Sequence, residues 1–135
     1  MAVESTGELI RQGFEDLAAS GYEAMLPLIS PEFELTTPPG LAAEPDTYRG
    51  PDGMTRYFES FYEAMDEIHF EPHEFREIGD WVVVPFTLTA RGRSTGLEAE
   101  QAGVMAWQLR DGLAVRLDVF AELSEALAAV EQNPG

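Results

Sequence analysis

Residues 81–92 read WVVVPFTLTARG, and a second apolar stretch, 102–109, reads AGVMAWQL. A strand with one covered face alternates apolar and polar residues. Here Val82, Val84, Phe86 and Leu88 fall on one side of an extended chain, and Trp81, Val83, Pro85 and Thr87 on the other. Both faces of this strand therefore need cover, and 102–109 has the same character. The connections around it are short: GD at 79–80, RST at 93–95 and RDG at 110–112. Such loops join hairpins, so 69–78, 81–92, 97–109 and 113–122 are predicted to form an antiparallel meander.

Helical segments precede the strands. Ile10, Phe14 and Leu17 recur at helical spacing between Glu8, Arg11 and Glu15, and Gly21 ends that run. YEAMLPLI (22–29) reads as a second short helix, and SPEFELTT (30–37) as a short strand. Residues 38–53, PPGLAAEPDTYRGPDG, are turn-rich and read as a long loop, a candidate lid. GPDGMTRYFESFYEAM (50–65) is the strongest helix, with Met54, Tyr57, Phe58, Phe61 and Met65 as its apolar stripe. SEALAAVEQ (124–132) closes the chain as a short helix. Helices first and an antiparallel sheet after them predict an α+β fold. The helices cover one face of the sheet, and a second copy of the chain is predicted to cover the other, giving a homodimer through the sheet.

The chain of 135 residues is read as one domain, 1–135, and its 44% hydrophobic residues can build a sizeable core. Its 25 acidic residues face 8 basic ones, all of them arginine, for a net charge of -17. That charge repels nucleic acid and anionic lipid surfaces, so neither is an expected partner. Cysteine is absent, which removes disulfides, thiolate catalysis and cysteine-ligated metals. No basic-then-apolar leader opens the sequence, and no apolar run approaches the ~20 residues of a membrane span. A soluble cytoplasmic protein is expected.

The stretches FEDLAASGYEAMLPLISPEFEL, YRGPDGMTRYFESF, EFREIGDWVVVPFTLTARG and MAWQLRDGLAVRLDVFAELSEAL resemble a SnoaL-like domain of the nuclear transport factor 2-like superfamily, which is also ketosteroid isomerase-like. The resemblance runs along essentially the whole chain. It implies a curved antiparallel sheet wrapped around N-terminal helices, a cone with an interior pocket, and frequent homodimers. The superfamily hosts polyketide cyclases, ketosteroid isomerases, epoxide hydrolases, dehydratases and binding modules, so the fold leaves function open.

Carried over position by position, the resemblance finds no recognisable acid/base set. Isomerase-like members place a tyrosine seven residues before the glycine that ends the first helix, and here that count from Gly21 reaches Phe14. Their general base precedes a proline in the first strand, where this chain has Thr37. A threonine hydroxyl is no base near neutral pH. An acid seven residues past the glycine of the DG turn would fall on Val119. The strand positions that hold an Arg and an Asp in epoxide hydrolases match Phe86 and Leu88. Asp118 is one residue short of Val119, which on a strand means the opposite face. It is expected outward with Arg116 and Phe120, paired with Arg116 or with a partner subunit. A β-bulge between Gly112 and Asp118 would turn it inward and make it the acid/base candidate.

Other residues carry weaker signals. His69, Glu71 and His73 alternate and could ligate zinc, but Pro72 and the polar pattern favour solvent-facing residues, and no metal or cofactor is expected. Tyr48 is expected to pack under the long loop. Glu98 and Glu100 alternate with the inward set and are read as solvated. The expected pocket lining is Phe14, Phe33, Tyr57, Phe58, Phe86, Leu88, Gln101, Met105, Trp107 and Val119, with Gln101 and Tyr57 as polar groups. Such a cavity suits a small hydrophobic molecule bound without chemistry. The alternatives are a cyclase-, isomerase- or dehydratase-type enzyme, using Asp118 or a loop-borne Asp46, and a structural dimer with no ligand.

Overall fold

The structure, a computed structural model, describes residues 6–36 and 47–132. Thr37, Asp46 and most of the candidate lid lie outside the described residues, as does the side chain of Phe61. Helix α1 (Thr6–Ser20) leads into a 3-10 helix (Tyr22–Leu28). Between them Gly21 takes a φ of 87°, a left-handed conformation that suits glycine, while its N–H bonds back to the Leu17 carbonyl at 2.9 Å. Strands β1 (Ile29–Thr36) and β2 (Thr47–Arg49), helix α2 (Gly50–Ala64) and strand β3 (Met65–Pro72) follow. The chain continues as β4 (Arg76–Ile78), β5 (Trp81–Gly92), β6 (Glu98–Arg110), β7 (Leu113–Phe120) and helix α3 (Leu123–Gln132).

The seven-stranded sheet runs β2-β1-β7-β6-β5-β3, with β4 also paired to β5. The expected α+β architecture is present, with three local corrections. First, the sheet is not a pure antiparallel meander, because β1 joins β7 in parallel, pairing Leu35 with Leu117 and Thr36 with Asp118. Second, residues 47–49, read as loop, form a strand on β1 because Tyr48 is buried, pairing with Leu35 in the sheet and packing its ring on Tyr57. Third, the single strand expected over 69–78 divides. Pairing on β5 runs to Pro72 with Phe86, followed by a bond from His73 N–H to the Pro85 carbonyl at 2.8 Å, and resumes at Arg76 with Val83.

The two-faced reading of 81–92 holds. Val82, Val84 and Phe86 of β5 join Met105, Trp107 and Leu109 of β6 in the concave core, against Ile10 and Phe14 of α1 and Met54, Tyr57 and Phe58 of α2. On the convex face Trp81, Val83, Val104 and Ala106 are covered by Ala126 and Val130 of α3, with Phe120, Leu123 and Leu127 around them. The chain's own last helix thus supplies the cover that was assigned to a second copy. The apolar stripe of a ten-residue helix says that it packs on something but not on which face of the sheet. Among the described residues the exposed large hydrophobic side chain is Leu97, at a hairpin end.

The contact between α2 and β2 depends on Gly53. A Cβ there would lie 2.7 Å from the Tyr48 carbonyl carbon and 3.2 Å from its Cα, so backbone would have to move. Gly53→Ala is therefore expected to destabilise the fold by about 1–3 kcal/mol, although alanine is the better helix former. Urea denaturation of the two proteins measures the difference.

Candidate functional site

Along α1, Arg11, Phe14, Glu15 and Ala18 follow the i, i+3, i+4, i+7 spacing of one helical stripe. That stripe faces His69, Phe70, Glu71 and Pro72 of β3, with Phe75 just beyond, across a cavity of about 380 Å³. Phe14 forms its inner wall. Its ring is edge-on to Phe75, with centroids 6.0 Å apart, and edge-on to Trp107 at 6.4 Å. Phe70 carries the aromatic chain on to Phe58 and Phe86, each at 5.8 Å. The Arg11 guanidinium lies 5.2 Å from the centre of the Phe75 ring.

Of the residues expected to line the pocket, Phe14 borders this cavity. Phe33, Tyr57, Phe58, Phe86, Met105, Trp107 and Val119 are buried together on the same concave side, and Leu88 packs half-buried against them. Gln101 is corrected. It shares the strand face of Met105 and Trp107 but is exposed, because burial along β6 begins only at Gly103. The aromatic partners Phe70 and Phe75 and the charged residues Arg11 and Glu15 were not singled out. The α1 stripe was legible in its spacing. Phe75 was hidden by reading 69–78 as one unbroken strand.

One polar atom in this apolar region has no partner. Among the described residues the Trp107 indole nitrogen is buried without an acceptor, and the Trp107 ring packs against those of Phe14 and Phe33. An unsatisfied buried donor costs about 1–3 kcal/mol relative to a paired one. Such a donor calls for a physical reason.

Phe14 and Val119 occupy two of the expected reactive positions and are both buried in the apolar core. Asp118 faces the other way, as its parity predicts. Leu117 and Val119 point into the concave core, while Arg116 Nε donates to Asp118 Oδ2 at 2.9 Å. A bulge does fall between Gly112 and Asp118: Gln108 pairs with Arg116 and Leu109 with Ala114, leaving Val115 extra. It leaves Asp118 in place and instead turns Ala114 into the concave core. Asp118 Oδ1 is buried with no hydrogen-bond partner, on a strand flanked by Ala106 and Thr36. His69, Glu71 and His73 are exposed, and His73 Nε2 lies 2.7 Å from Thr87 Oγ1. Among the described residues no three His, Asp or Glu side chains converge as a metal site.

The chain belongs to the SnoaL-like domain family, whose sequence profile matches residues 10–117. Its fold is that of nuclear transport factor 2-like proteins. A protein of that kind from Burkholderia thailandensis superimposes with a TM-score of 0.80 at 22% identity, covering 93% of this chain and 98% of the other. One of unknown function from Burkholderia pseudomallei gives 0.77 at 22% identity, with 93% and 97% covered. TerC, co-crystallised with polyporic acid, gives 0.76 at 25% identity, with 94% and 99% covered. No curated protein matches the chain significantly. Among the described residues no helix is long and apolar enough to cross a membrane.

Tyr57 is a titratable group buried in the concave core beside Tyr48. Burial foremost, and then the neighbouring Tyr48 hydroxyl, push its phenol far above the usual range. The unfolded chain releases this proton near pH ~10, whereas the folded chain holds it. The stability that Tyr57 contributes is therefore complete below about pH 10 and is lost as pH rises beyond it. Unfolding free energy measured by urea titration should fall across that alkaline window. In Tyr57→Phe the fall should be shallower.

Proposed function

We propose that this SnoaL-like protein binds a hydrophobic small molecule on the concave side of its sheet and performs no acid–base chemistry there. The buried Trp107 N–H carries the reading. A ligand presenting a carbonyl or hydroxyl oxygen to it recovers the ~1–3 kcal/mol that an unpaired donor costs. Phe14 stands between that donor and the cavity at α1 and β3, in ring contact with both Trp107 and Phe75. The cavity's volume of about 380 Å³ falls within the range of ligand pockets, roughly 300–1,000 Å³. TerC, of the same fold, was co-crystallised with polyporic acid, which supports ligand binding as a use of this architecture.

A cyclase-, isomerase- or dehydratase-type reading needs an acid or base on the concave side. Asp118 is on the convex side and engaged by Arg116, which weakens that reading. A purely structural dimer leaves the buried Trp107 donor without a purpose. We keep a homodimer through the sheet as part of the proposal, on a new ground. Arg49–Glu34 and Arg116–Asp118 set opposite charges beside one another on the convex face, and a second copy can match that pattern. Light scattering should then give a dimer that loosens with added salt. A monomer at low salt removes this element.

The binding reading is tested with Trp81→Phe, which leaves Trp107 as the remaining tryptophan of the two. Hydrophobic molecules carrying a carbonyl or hydroxyl oxygen should shift its emission saturably. Emission unmoved across such a panel overturns the reading.

A further inference from the structure

The cavity between α1 and β3 also has a charge character. Phe14, Phe70 and Phe75 supply aromatic walls, and Arg11, Glu15 and Glu71 are the charged groups around them. Arg11 is already engaged. Its guanidinium lies on the Phe75 ring, and its Nε is 3.9 Å from Glu8. With histidine taken as neutral, Arg11 against Glu15 and Glu71 leaves one negative charge in excess. The whole chain adds a field from a net charge of -17 with no lysine.

A cleft with low-dielectric walls concentrates such a field and enriches ions of the opposite sign. Aromatic faces act in the same direction, since their quadrupole attracts cations. The seat of Arg11 on Phe75 is an instance within the molecule itself. An organic anion meets an opposing field, and the cation that could receive it is already occupied.

Resting on the small-molecule binding function, we propose that this cavity takes a hydrophobic organic cation, a protonated or quaternary amine on an apolar body. The apolar body lies against Phe14, Phe70 and Phe75, and the ammonium group sits at the rim held by Glu15 and Glu71. Glu15, one residue along α1 from Phe14, is the main determinant of the preference.

Calorimetric titration of the full chain at low salt with three aryl ketones that differ only in the end group, (4-oxo-4-phenylbutyl)trimethylammonium, the alcohol 4-hydroxy-1-phenylbutan-1-one and the carboxylate 4-oxo-4-phenylbutanoate, tests this, since each offers Trp107 the same carbonyl oxygen. The ammonium compound should bind most tightly and the carboxylate least, with roughly tenfold or more between them. Added salt should narrow that gap, and Glu15→Gln should reduce the ammonium preference several-fold. If the alcohol or the carboxylate binds as well as the ammonium, the charge assignment is overturned while the binding function stands. A preference that survives Glu15→Gln intact overturns the placement at this rim. Saturable binding by none of the three, together with a silent Trp107, overturns both the inference and the function beneath it.

Discussion

Burial of both faces of the β5–β6 pair is the constraint on which the rest of the fold depends. These two long strands are apolar on each side where they pair, and neither side is stable in water. The concave side bends around α1 and α2, whose aromatic stripes fill it. The convex side is closed by α3 through Ala126 and Val130. Small residues on that helix permit a close seat on Trp81 and Val83. Each of the two helical covers faces a different half of the alternation in β5.

The concave aromatic cluster decides what the molecule can do. At two positions where the family resemblance implies reacting groups it has the ring of Phe14 and the methyl groups of Val119. What polarity survives there is sparse: the Trp107 indole N–H and the phenols of Tyr48 and Tyr57. Hydrogen-bond donors in an apolar enclosure are suited to orienting a ligand rather than to taking its proton. Phe14 packs on Trp107 in this enclosure and also lines the cavity at the edge of β3.

Charge is arranged by face. The acidic excess is carried by exposed side chains, and its ion pairs lie along strand surfaces, as in Arg91 with Glu67 and Glu98, and Arg49 with Glu34. These exposed pairs add little stability. At the cavity between α1 and β3, Arg11 is shared between Glu8 and the Phe75 ring.

The sequence by itself determined whatever depends on neighbours along the chain. Strand parity placed Val82, Val84 and Phe86 opposite Trp81 and Val83, and put Asp118 with Arg116 rather than with Val119, because side chains alternate at each residue. Helical spacing located α1 and α2 for the same reason. Parity gives a face but not a depth, so Gln101 was placed on the right side and wrongly buried. The remainder was decided by contacts between segments distant in sequence. The parallel seam of β1 on β7, the pairing of β2, the extra Val115 and the cover by α3 each satisfy backbone bonds or apolar surface that only the folded chain brings together. The cavity is of the same kind. Its walls are α1 and β3, nearly 50 residues apart, and no local pattern encodes the space between them.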